Sequence, residues 1–360
     1  MLFASVLAFA AAAAAAPAFP PSPVFAGIQW HWDTRQTAAP GSDLWPVAWA
    51  DDDHLYTAWG DGGGFGGTDT DGRVAMGFGR LEGVPPAWHG FNLNGGKDPP
   101  HPASFPRKGK TSGLACVDGV LYATVNLQDG PWPRVNHVLA WSADRAATWE
   151  RASWLFPVGE GRFHPAAFVG FGRDYTGLPD SLAGYVYVIG GHQSPGRDGG
   201  GRLYLARVPR TRLREEAAWE FYQGAGTNGA PRWSPDEAAA PPVFEDPNGV
   251  AVGSMVYLPA ARRFLLTSYH TGPGQLGVFD APEPWGPWTL VDYQEHWGGM
   301  GAAGEGLTCT FPQKWMSPDG LTLWAVFSAY GTGAKQGVNA HDCFNLLQAT
   351  LVPLSHAERK

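Results

Sequence analysis

One short pattern returns five times along this chain, and it restricts the fold more than any other feature. It is a run of β-branched and aromatic residues: HLYTAWGD from His54, VLYATVNL from Val120, YVYVIGGH from Tyr185, FLLTSYH from Phe264 and LWAVFSAYG from Leu323. Each run follows a turn sequence, in order DDD, VDG, LAG, AARR and SPDG, so each reads as the second strand of a hairpin. The runs recur at intervals of about 60 to 80 residues, which suits one four-stranded blade with decorated loops.

The rest of each unit repeats as well. A third strand is expected in VAMGFGRLEG, HVLAWSADR, RLYLARVPR, QLGVFDAPE and FNLLQATLVP. A tryptophan then opens a fourth strand in four units, at Trp88, Trp149, Trp219 and Trp288. The fifth unit ends near the C-terminus without a fourth strand, while GIQWHW at residues 27–32 stands at the front with no unit of its own. Pairing the two closes a ring and removes the open sheet edge of an unclosed array. The expected fold is all-β: a single five-bladed β-propeller over residues 26–353 with four-stranded blades, its N-terminal strand completing the last blade. Innermost strands are expected at residues 44–50, 112–117, 166–171, 250–256 and 308–315. Long excursions at 93–109, 210–216 and 224–245 are rich in Gly, Pro and charge, and only 211–219 has helical character.

Composition agrees. Among 360 residues there are 49 Gly, 32 Pro and 17 Trp, with 16% charged, a mixture that interrupts long helices and is tolerated by short strands and tight turns. Residues 1–18 are apolar and alanine-rich, end in small residues and precede a proline cluster, as in a secretory signal, although the usual basic start is missing. A secreted or periplasmic monomer is expected rather than a membrane protein, since no second apolar run follows. A net charge of -8 without a basic run argues against nucleic acid. Of the three cysteines, Cys309 and Cys343 fall in the same unit and are the expected pair if any disulfide forms. No CxxC spacing points to zinc or redox chemistry.

In a propeller, inner strands start on the face where second strands end. Before the inner strands come Asp43, Lys110 with Thr111, His164, then Glu245, Asp246 and Asn248, and Glu305; after the second strands come Asp61, Asn126, His192, His270 and Tyr330. Nearly all are polar, although the strands between them are apolar. Turns are polar in any protein, so some of these residues only cap strands. The stretch SDLWPVAWADDDHLYTAWGDGGG, residues 42–64, carries two of the acids at one end of a single hairpin.

Paired carboxylates are what glycoside hydrolysis needs: one protonates the leaving oxygen and an ionised partner serves as base or nucleophile. Asp43, Asp61 and Asp246 are the candidate catalytic residues. Trp45, Lys110, Asn126, His164, His192, Glu245, Asn248, His270 and Tyr330 are candidates for binding substrate. Aromatic faces at Trp45, Trp49, Trp59, Trp285 and Trp297 suit the apolar side of a sugar ring, while strand tryptophans more often wedge between blades. A polysaccharide lyase is the alternative, with His192, His270, Tyr330 or Tyr269 as base and Lys110 neutralising a uronate. A carbohydrate-binding propeller would need the aromatics but not the paired acids. No cofactor is required; the oxygen-rich mouth could take calcium, though no EF-hand spacing occurs.

Residues 42–64 resemble the opening motif of a family of secreted bacterial five-bladed propellers, long described as a domain of unknown function and later linked to D-arabinanases. In that family two aspartates near the N-terminus, in comparable strand-flanking positions, are implicated in catalysis, and the matching positions are Asp43 and Asp61. FEDPNG and FDAPEPWGPWTL resemble segments of furanosidase-type propellers, in which three acids from successive blades line a central pocket. The resemblance implies a glycoside hydrolase acting on a polysaccharide or oligosaccharide. The chain departs from the pattern in blade three, where no matching glutamate stands.

Overall fold

The structure is a computed structural model that describes residues 19–98, 109–130, 135–192, 201–250, 253–269, 276–299, 305–330 and 342–355. All five recurrent runs are second strands of antiparallel sheets. The chain opens with β1 (Phe25–Ala38). Blade 1 holds β2 (Asp43–Trp49), β3 (Leu55–Gly60), β4 (Met76–Val84) and β5 (Ala87–Asn94); blade 2 holds β6 (Lys110–Val117), β7 (Val120–Asn126), β8 (His137–Ser142) and the two-residue β9 (Glu150–Arg151). Blade 3 comprises β10 (Phe163–Phe168), β11 (Tyr185–His192), β12 (Arg202–Pro209) and β13 (Glu220–Ala225), extended by β14 (Pro231–Ser234), with β15 (Phe244–Glu245) also paired to β12. Blade 4 comprises β16 (Ser254–Leu258), β17 (Arg263–Tyr269), β18 (Leu276–Ala281) and β19 (Thr289–Gln294). Blade 5 comprises β20 (Glu305–Thr310), β21 (Thr322–Tyr330) and β22 (Phe344–Pro353), and β1 pairs antiparallel with β22 as its fourth strand. The chain is thus a five-bladed β-propeller.

Ahead of β1, Pro20 and Ser22 hydrogen-bond to Leu290 on the outer strand of blade 4, and Phe19 packs between Phe244 and Phe279 at 5.1 and 4.8 Å. Residues 1–18 and His270 lie outside the described residues. No helix among the described residues is long and apolar enough to cross a membrane.

Aromatic side chains fill the seams between blades. Phe78 of blade 1 stacks on Trp149 of blade 2 at 4.1 Å. Between blades 4 and 5 the fully buried Trp297 meets Trp30, Trp32 and Phe327 at 5.0, 5.0 and 4.6 Å. Four of the five inner strands carry a bulge shortly after they begin, between Leu44 and Val47, Thr111 and Gly113, Pro165 and Ala167, and Gly306 and Thr308. A bulge leaves a backbone carbonyl out of the ladder. Hydroxyls of the preceding blade reach carbonyls at or next to these bulges around the axis: Ser112 donates to Pro165 O at 3.1 Å, Ser254 to Cys309 O at 2.6 Å, and Thr308 to Leu44 O.

At the opposite rim the acidic turn at residues 51–53 is held by cations from three other blades. Arg145 donates to Asp51 Oδ2 at 2.8 Å, Arg173 donates to the Asp51 carbonyl at 3.1 Å, and Lys314 pairs with Asp53 at 2.9 Å.

Some expectations shift. Inner strands begin at Phe163 and Glu305 rather than at 166 and 308, because the residues ahead of the bulges also join the ladder; that of blade 4 begins only at Ser254. Residues 313–315 form a 3₁₀ turn, since Pro312 has no N–H to continue the strand. The excursion at 224–245 is not structureless, for it supplies β14 and β15. Cys309 and Cys343 do not pair: all three cysteines are free, and β21 lies between β20, which carries Cys309, and β22, which Cys343 immediately precedes. Two strand spacings, about 9–10 Å, exceed what a disulfide can bridge.

Trp297→Ala should destabilise the protein by about 3–5 kcal/mol in chemical unfolding, as expected for emptying a tightly packed aromatic site. A loss below about 1 kcal/mol would show that the seam between blades 4 and 5 does not depend on it.

Candidate active site

The pairing of β2 with β3 sets Asp43 opposite Gly60, so Asp61, the next residue, stands at the same end of the hairpin. Local backbone turns Asp43 toward the mouth. Leu44 and Trp45 have φ of 78° and 69°, a left-handed conformation that is costly for bulky side chains and persists only where the surroundings enforce it. Enforcement comes from Trp45, whose ring is fully buried and donates Nε1–H to Ser42 O at 3.2 Å, and from the Thr308 hydroxyl on the Leu44 carbonyl. Gly60 leaves room for both groups: a Cβ there would stand 2.5 Å from Asp43 Oδ1 and 2.7 Å from Lys110 Cδ and would push these side chains aside. The Asp43 carboxylate and the Lys110 stem therefore converge over a bare stretch of backbone.

The two acids sit in opposite electrostatic surroundings. Asp61 is partly exposed and receives Lys110 Nζ at 2.6 Å and Arg73 at 3.3 Å. Lys110 also donates to the Ala75 carbonyl at 2.7 Å. Asp43 Oδ1 is buried and has no hydrogen-bond partner. Burial lifts the Asp43 carboxyl to about 7; Lys110 and Arg73 pull it down, while the charges of Asp342 and Asp61 push it further up. The arrangement places a carboxyl whose proton is retained up to about 7 beside one that is ion-paired with Lys110 and Arg73.

On the blade 2 side, the starting residue Lys110 lies opposite Asn126, and Asn126 lies opposite His137 on β8. Asn126 and His137 are each only 5% exposed, and Asn126 Oδ1 and His137 Nδ1 have no hydrogen-bond partner. The His137 ring lies 5.5 Å from that of His164 on β10. Burial, and secondarily the neighbouring His164, hold His137 well below the usual histidine range, hence neutral. His164 rests against Gly191, where a Cβ would stand 2.7 Å from its ring.

Other candidates are placed elsewhere. Trp45 is core, stacked at 5.7 Å on the equally buried Trp59, because the bulge rotates it inward; neither can meet a sugar. Trp297 is core as well. Trp49 bonds to Asp53 at the opposite rim, and Trp285 stacks on Tyr222 at 5.6 Å. Asp246 is 1% exposed and accepts the Asn248 N–H at 2.8 Å, closing its own turn beside Tyr293 of an outer strand. Asn248 belongs to that same turn. Glu245 is exposed and paired with Arg202 at 2.9 Å. Thr111 faces the seam with blade 1, bonding to Met76 Sδ at 3.0 Å. By backbone pairing, His192 lies opposite Phe163 and Tyr330 opposite Glu305, at the mouth ends of their strands.

Sequence reasoning missed Asp342, Arg73 and His137. Asp342 and Arg73 sit in loops with no repeated pattern. His137 begins a third strand, a position the tally of first and second strands did not include, although a histidine opening VLAWS was visible. Among the described residues, one trio, Asp51, Cys116 and Asp174, brings three metal-type ligand atoms close together, and it lies at the opposite rim. Arg145 already occupies Asp51, and burial pushes the Cys116 thiol up to about 12. These residues do not suit calcium, which takes six or more oxygens.

No curated protein matches the chain by sequence. In three dimensions the chain is similar to RS223 β-xylosidase, with a TM-score of 0.50 at 12% identity over 90% of this chain and 97% of that one. It also resembles a GH43_1 enzyme from Xanthomonas citri, with a TM-score of 0.49 at 14% identity over 90% and 92%. At such identities the likeness concerns the fold alone. The profile of a domain of unknown function, DUF4185, matches residues 129–316, from the blade 2 loop into blade 5 and beyond the hairpin of Asp43 and Asp61. That span is more than half of the 360 residues, and the chain belongs to the DUF4185 family.

Proposed function

We propose that the protein is a glycoside hydrolase, exported and monomeric, that cleaves furanoside-containing polysaccharides of the arabinan type at the blade 1 mouth. The observation that carries this reading is the contrast between Asp43, buried with a free Oδ1 and a carboxyl raised to about 7, and Asp61, held by Lys110 and Arg73. Two carboxyl groups with divergent environments supply an acid and a base together. In this reading Asp43 gives its proton to the glycosidic oxygen as the C–O bond breaks. Asp61, as carboxylate, either attacks the anomeric carbon or activates the water that does. Lys110 is a positioning residue, fixing Asp61 against the Ala75 carbonyl. The propeller fold shared with a β-xylosidase is compatible with this reading, and the resemblance of residues 42–64 to D-arabinanase-linked proteins supports the choice of substrate.

The lyase alternative needs a cation free to neutralise a uronate. Two of the three Lys110 protons are committed to Asp61 and Ala75 O, which weighs against it.

A polysaccharide panel should yield new reducing ends without the ultraviolet absorbance of unsaturated uronates, with arabinans the best substrates. Asp43→Asn and Asp61→Asn should each lower kcat/KM by at least about 100-fold while circular dichroism stays unchanged. Full activity in Asp43→Asn would remove the acid from the mechanism.

Activity should also decline as pH rises through about 7, because the acid must be protonated. The same shift has a stability signature. A carboxyl whose folded value is raised contributes stability that is complete below its ordinary value of 3.8 and is lost as pH rises through about 7. Relative to wild type, Asp43→Asn should therefore gain stability steadily across that interval and level off above it. A constant difference in denaturant midpoints across the same range would show that Asp43 titrates normally.

A further inference from the structure

Next to the carboxylate pair, on the far side of Lys110, the seam between blades 2 and 3 buries polar groups that the protein itself leaves unsatisfied. Asn126 Oδ1 and His137 Nδ1 are both buried without a hydrogen-bond partner, and each residue is about nineteen-twentieths covered. Leaving such groups unmet carries a desolvation penalty, so an occupant that satisfies them binds at an advantage. Their positions are rigid. Asn126 and His137 face one another across the β7–β8 ladder, and the His137 backbone exchanges hydrogen bonds with Phe156 at 3.0 and 2.8 Å. His164, partly exposed at the start of β10, connects the group to the mouth.

We propose that Asn126, His137 and His164 form a subsite that binds a hydroxyl group of the substrate's sugar adjoining the cleaved bond. This rests on the glycoside hydrolase reading above. A neutral imidazole carries one N–H and one acceptor nitrogen, and the amide oxygen accepts. The complementary group both donates and accepts, and on a glycan that is a hydroxyl. An anion would find too few donors. A cation would find no carboxylate among these three residues, and Lys110 stands opposite Asn126.

The test uses the full-length Asp43→Asn protein, which should bind without turnover, titrated calorimetrically with a D-arabinofuranosyl oligosaccharide. His137→Phe and Asn126→Leu, each added to it, should weaken binding about ten-fold, and His137→Gln, which keeps a polar group at similar reach, should recover most of the loss. In the otherwise wild-type enzyme KM should rise in parallel. If affinity is unchanged and only the unfolding temperature moves, the seam holds structural water and the proposal is overturned while the hydrolase reading stands. If zinc alone shifts the His137 and His164 imidazole resonances and a chelator abolishes oligosaccharide binding, the seam is a metal site and the proposal is likewise overturned. If the wild type neither binds nor cleaves any glycan of the panel, the hydrolase reading falls and takes this one with it.

Discussion

The pairing of β1 with β22 is the constraint from which the rest follows. A propeller is a row of sheets that gains stability only when its first and last members meet, and here the meeting is made by strands from the two ends of the chain. Four residues after β1 the chain enters β2 at Asp43. The connecting segment is itself tied to blade 5: the Gly41 N–H donates to Asp342 O at 2.6 Å, and the Thr308 hydroxyl holds the Leu44 carbonyl. The ring closure and the placement of the first aspartate are therefore one structural event. The left-handed turn at Leu44 and Trp45 persists because closure leaves it no room to relax.

Given that placement, the chemistry depends on how unequally the fold treats two identical side chains. Asp61 follows the last residue of β3, where the loop bends out to Arg73 and where Lys110 of the next blade can reach it. Asp43 lies a strand further in, against Gly60, with one oxygen in contact with no donor. Neither acid is unusual by sequence. Burial and neighbouring charge separate them.

This explains which features could be read before the coordinates. The ring was legible because its signals are local and repeated: hairpin runs such as YVYVIGGH and LWAVFSAYG, tryptophans opening outer strands, and an orphan strand at residues 27–32. The convergence of Asp43, Asp61, Lys110 and Asn126 followed from strand direction alone. What could not be read is which way a side chain turns. Trp45 looked available to a sugar, but a bulge, invisible in composition, turns it into the core. Asp246 looked like a third acid, yet it closes a turn because Asn248 lies two residues on. Asp342, the carboxylate whose charge does bear on Asp43, comes from a connection nearly 300 residues away, and no local pattern marks it.

The acidic turn at residues 51–53 has a bearing on how rigidly the mouth is presented. It belongs to the hairpin that presents Asp43 and Asp61, and Arg145, Arg173 and Lys314 grip it from beneath. A hairpin clamped at its turn by three other blades and at its open end by blade 5 is a fixed post. On the reading proposed above, a substrate would have to adapt to the two carboxyl groups, because the hairpin that carries them is held at both ends.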